Sequence, residues 1–190
     1  MEQIARDVST LARRQWLPWA IAALLCAGWT RSVRAAEEQP SEYQVKAAFL
    51  LNFTKFVQWP PGAFADEHSP LAICILGDDP FGNTLSEMVK SEAVNGHELT
   101  VERIHRAPSP KSCQVLFLGR AEKDIPKILA ALGPGILTVG ESDKFLSDGG
   151  VIRFLVEDRR VRFDINQSAA AKALLTLSSR LMTVARSVER

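Results

Sequence analysis

Three cysteines, three histidines and one tight cluster of acids are the side chains whose chemistry depends most on spacing. His68, His97 and His105 follow no HxH, HExxH or HxxxH pattern, so they read as solvated surface residues and no metal centre is expected. Gly77-Asp78-Asp79-Pro80-Phe81-Gly82 sets paired acids behind an apolar run, as a magnesium and phosphate site would. The partner aspartate of such a site is missing, because the third apolar run ends in Leu118-Gly119-Arg120. The acids therefore read as a turn that caps a helix. No GxGxxG, Walker lysine or GxSxG motif supplies a phosphate cradle or a strained nucleophile. Ser178 and Ser179 fall inside a predicted helix, where bonding back to the preceding turn is role enough. No cofactor and no enzymatic activity is expected.

What the cysteines do depends on the compartment. Arg13 and Arg14 precede an apolar stretch from Trp16 to Trp29 that holds Pro18 and no charge. It falls short of the roughly twenty residues that a bilayer span needs, but it suits the apolar region of a secretory signal. Val33 and Ala35 then occupy the small-residue positions of a signal peptidase site, which predicts cleavage after Ala35 and export to the periplasm. An uncleaved anchor is the alternative, opposed by Arg31 and Arg34 on its far side, and Leu25 before Cys26 argues against a lipoprotein. Arg13-Arg14 leaves both the general and the twin-arginine export routes open. Cleavage removes five of 23 basic and two of 22 acidic residues, so the mature part carries 18 and 20. No basic surplus remains to attract nucleic acid or an anionic membrane. Only Cys74 and Cys113 remain as well. In an oxidising compartment they read as one disulfide, contributing roughly 3–4 kcal/mol on chain-entropy grounds, with two buried thiols as the alternative.

The elements that hold these groups follow from apolar periodicity. The chain has 190 residues, 46% apolar and 24% charged, which is ordinary globular composition. It divides into a signal (1–35), a polar lead (36–41) and one α/β domain (42–190). Ser41 caps a helix over Glu42–Gln58 with apolar residues at Val45, Phe49, Phe53, Phe56 and Val57, stopped by Trp59-Pro60-Pro61-Gly62. Leu71–Leu76, His97–Ile104, Val115–Leu118 and Ile136–Val139 read as strands, and Pro80–Val89 and Glu122–Leu132 as helices between them. Val151–Val156 and Arg160–Ile165 are of hairpin spacing. A last helix is predicted from Gln167 to about Val188, with Leu174, Leu175, Leu177, Leu181, Met182, Val184, Ala185 and Val188 forming its stripe. The pattern predicts a three-layer α/β/α sandwich with a mostly parallel sheet, an antiparallel C-terminal hairpin and a long C-terminal helix. The stripe is wider than one sheet face needs, so part of it is expected to be a partner patch.

The segment Tyr43-Gln44-Val45-Lys46-Ala47-Ala48-Phe49-Leu50-Leu51-Asn52-Phe53-Thr54-Lys55-Phe56-Val57-Gln58-Trp59-Pro60 resembles the opening helix of the YfiR family of periplasmic regulators. Three further segments agree: Ile73 to Gly82, Leu137-Thr138-Val139 with Phe145 and Gly149-Gly150, and Arg162 to Asn166 leading into Leu174 to Leu181. The resemblance implies an inhibitor of the sensory region of an inner-membrane diguanylate cyclase, which lowers cyclic-di-GMP and biofilm formation and which an outer-membrane lipoprotein can sequester. The spacing of Cys74 and Cys113 suits the family's disulfide, and the second cysteine pair of some members is absent. Trp59, Leu175, Arg180 and Met182 are the candidate partner- or ligand-binding residues. The competing reading is a small-ligand sensor in which Trp59 stacks on the ligand and Arg180 binds its anionic group. A homodimer stays open.

Overall fold

The computed structural model describes residues 40–109 and 111–190; the predicted signal and its cleavage site lie outside them. Helix α1 (Glu42–Phe56) starts at a reciprocal cap: Ser41 Oγ accepts the Gln44 N–H and Gln44 Oε1 accepts the Ser41 N–H, so two otherwise orphaned donors are satisfied. The chain then extends as β1 (Val57–Gln58) into Trp59-Pro60, since a residue before proline is driven from the α region. Lys46, Ala47, Leu50, Phe53 and Thr54 are the buried positions of α1. That face is rotated from the predicted stripe, of which Val45, Phe49 and Phe56 are half-buried.

The elements that follow are β2 (Leu71–Leu76), α2 (Asn83–Val89), β3 (Ala93–Val94), β4 (His97–Ile104), β5 (Val115–Leu118), α3 (Ile125–Ala131) and β6 (Leu137–Gly140). The chain closes with β7 (Ile152–Glu157), β8 (Arg160–Asn166), α4 (Gln167–Lys172), β9 (Thr176–Leu177), α5 (Ser179–Val184) and β10 (Ser187–Glu189). The main sheet runs β10-β8-β7-β6-β5-β2-β4-β3. Its pairings are parallel except for β7 with β8 and β3 with β4.

Alternation along the central strands builds a core on each face. Ile73, Ile75, Val115, Phe117, Leu137 and Val139 pack with Leu50 and Phe53 of α1, Leu85 of α2 and Leu181 of α5. Ala72, Cys74, Leu76, Leu116 and Leu118 turn the other way, toward Ile125 of α3 and Phe145. The three-layer α/β/α arrangement is therefore present. A disulfide joins Cys74 of β2 to Cys113, two residues before its parallel neighbour β5, with the Cα atoms 5.9 Å apart. The β7–β8 turn is Asp158-Arg159, both at positive φ, which matches the twist of a two-residue hairpin. Phe145 is fully buried with Gly140 on one side and Gly150 on the other; a Cβ on either glycine would overlap its ring.

The long C-terminal helix is not formed. Asn166 Oδ1 accepts the Ala169 N–H and caps α4, but that helix ends at Ala173. Leu174 enters the left-handed region at φ 58° while its N–H bonds Ala171 O and the Leu175 N–H bonds Ala170 O. These are the two hydrogen bonds of a Schellman stop, here with leucine where glycine is usual. β9 then pairs antiparallel with β1, Val57 opposite Leu177. Ser178, predicted mid-helix, is instead the N-cap of α5, its Oγ accepting the Leu181 N–H. Beyond Ala185 the chain adds β10 to β8 in parallel register.

Two smaller expectations also change. Asp79 does not cap α2, whose N-cap is Gly82; its Oδ1 accepts the Phe81 N–H and its Oδ2 pairs with Arg103 Nε at 2.7 Å. His97 is half-buried, stacked on Phe64 with centroids 3.8 Å apart, and its Nδ1 lies 2.7 Å from Ser69 O.

Candidate partner-binding surface

Breaking the last helix divides its apolar stripe between core and surface. Leu175, Leu177 and Leu181 are buried, Met182, Ala185 and Val188 pack half-buried on the core, and Leu174 and Val184 are exposed at 60% and 64%. Val156, on β7, is the other exposed large hydrophobic among the described residues, at 45%, so two of the three fall within eleven residues of the C-terminal segment. A shallow cleft of about 710 Å³ along α5 is lined by Gln167, Ser179, Met182, Thr183, Val188 and Arg190. Arg180 is exposed on α5, at the edge of the same segment.

This surface is held firmly. Asp164, buried on β8, accepts Arg186 Nε at 2.8 Å and Nη2 at 2.6 Å, Arg153 Nη2 at 2.6 Å and Ser187 Oγ at 2.9 Å. Burial alone would raise its pKa, but the Arg186 and Arg153 guanidiniums and the Ser187 hydroxyl outweigh that and hold the carboxyl below the usual range. One carboxylate thus fastens β10 and the end of α5 to the sheet.

Of the four sequence candidates, Met182 and Arg180 lie on α5, whereas Leu175 is 5% exposed and inside the core. Trp59 is half-buried, packs edge-on against Phe64 and donates its indole N–H to Gln114 O at 3.3 Å. The antiparallel register that sets Gln58 opposite Thr176 carries Trp59 toward Leu175, so β1 and β9 tie the end of α1 to the C-terminal segment. Neither Trp59 nor Arg180 lines the cleft beside α5.

A second cluster escaped the sequence reading. Lys46 and Glu141, 1% and 3% exposed, form an ion pair at the carboxyl end of β6, and Lys46 also pairs with Glu42. Glu141 Oε2 accepts the Arg120 N–H at 3.2 Å and the Tyr43 hydroxyl at 3.4 Å, and Lys46 Nζ sits 4.6 Å from the centroid of the Tyr43 ring. Burial would lower the Lys46 pKa, but hydrogen bonds to Glu141 and Glu42 raise it above the ordinary lysine value. The missed signal was Lys46 itself, which stands four residues before Leu50 and seven before Phe53 on the buried face.

The decisive comparison is with protein families. A family model described as YfiR/HmsC-like matches residues 43–186, from the second residue of α1 to the residue before β10. The chain belongs to the YfiR/HmsC-like family. A search of curated proteins finds no match. Members of the YfiR family are regulators rather than enzymes, and the family points to a periplasmic regulator in diguanylate cyclase signalling. The Cys74–Cys113 disulfide sits well with that assignment. Among the described residues no helix is long and apolar enough to cross a membrane.

Proposed function

We propose that the mature protein binds the periplasmic sensory region of an inner-membrane diguanylate cyclase and holds it inactive, lowering cyclic-di-GMP and biofilm formation. The observation that supports a binding role is the C-terminal segment, where Leu174 and Val184 are exposed on a scaffold pinned by Asp164. Fully burying a Leu or Val side chain contributes at most about 1.5–3 kcal/mol, and these two, already partly covered, contribute less each. Export after Ala35 puts the protein in the same compartment as that region, and an outer-membrane lipoprotein that competes for the surface would release the cyclase.

Calorimetry with the purified periplasmic regions of the membrane diguanylate cyclases of the native host tests this reading. Val184→Asp and Met182→Asp should each weaken binding about tenfold or more, since tenfold is 1.4 kcal/mol. Val184→Asp should leave the melting temperature unchanged, because the residue is exposed. Equal affinity of wild type and both variants would exclude this surface.

A further inference from the structure

We propose that the cleft between the loop after β4 and helix α3 binds a small organic anion. It holds about 340 Å³, within the size of small-molecule sites, and its floor is apolar, formed by Leu76 at the end of β2 and Ile128 of α3. Its rim carries His105 and Arg106 from one segment and Lys123 and Lys127 from another. Among the described residues none of these four forms an ion pair. The opposing carboxylates are Glu122 and Asp124. Glu122 is turned back on the chain, its Oε1 accepting the Lys123 N–H at 3.1 Å and its Oε2 lying against Gly77. Arg106, Lys123 and Lys127 thus outnumber Glu122 and Asp124 by one, with the His105 imidazole beside them, in a mature chain with more acidic than basic residues.

Topology favours the same place. From β2 the chain crosses to β4 on one side and then to β5 on the other, with α2 and α3 packed on opposite faces. Sheets wound this way bind ligands outside the carboxyl ends of the strands where the order reverses, and Leu76 ends the strand at which it does. An apolar floor under a cationic rim suits a molecule with a short hydrocarbon or aromatic body and a phosphate or carboxylate group. The cleft lies on the face opposite α5, so its occupancy can be measured without reference to the cyclase.

The test is calorimetry of the mature protein with phenyl phosphate, benzoate and phenol. Either anion should bind where phenol does not, and the tighter of the two names the anionic group. The double variant Lys123→Glu/Lys127→Glu should weaken binding about tenfold or more, and Arg106→Ala, should the double variant not fold, should weaken it in the same sense. Added salt should weaken it too. Binding of phenol as tight as phenyl phosphate, no heat with either anion, or unchanged affinity in a folded variant overturns the proposal.

Discussion

Lys46 and Glu141 show what one residue can cost. An ammonium and a carboxylate removed from water are tolerated because each satisfies the other, with Glu42, Tyr43 and the Arg120 N–H completing the set. Glu141→Gln leaves the ammonium buried without its main counter-charge and should destabilise the fold by about 3–5 kcal/mol. Adding Lys46→Met should recover part of that loss, read as a rise in urea midpoint from the single to the double variant. Asp164 makes a different prediction. Its folded pKa lies below the ordinary carboxylate value of 3.8, held there against burial by Arg186, Arg153 and Ser187. A depressed folded pKa means the stabilisation is present above the unfolded value and is lost as pH falls through the folded one. Urea unfolding across the acid range should therefore show a stability loss below about pH 4 that is shallower in Asp164→Asn.

At the scale of elements, the six longer strands were legible, whereas the short β1, β3, β9 and β10 and the breaking of the last helix were not. Leu71–Leu76 and Val115–Leu118 are apolar throughout because both faces of those strands are buried, and His97–Ile104 matches its predicted span. Ser41 announced its cap correctly. The stripe from Leu174 to Val188 has helical spacing, yet two strand pairings, β9 to β1 and β10 to β8, claim its residues. Neither a glycine nor a proline marks the break, and Ser178 was its one local sign. Leu174→Gly distinguishes the two arrangements: at a left-handed position it should be neutral or stabilising by about 1 kcal/mol, whereas inside a helix it would cost about that much. The disulfide joins elements rather than ending one. Cys74→Ala should lower stability by roughly 3–4 kcal/mol, and reductant should lower the melting temperature of the wild type but not of the variant.

The described residues build a sheet with a core on each face, and Leu174 and Val184 stay exposed in the C-terminal segment. Little of that surface could be read ahead of the fold, because burial of Leu175 and exposure of Val184 are decided by where the chain turns at Leu174. The family motif in α1 was legible because a helix with this much of its length packed on the sheet must keep its apolar order up to Trp59-Pro60. Inhibition of a membrane cyclase is the claim that joins export, rigid scaffold and exposed patch. Its most direct test is the cellular cyclic-di-GMP level after deletion of this gene, in the native host with the cognate cyclase expressed. A rise that returns to baseline on complementation with wild type, and not with Val184→Asp, is the predicted result; an unchanged level contradicts the account.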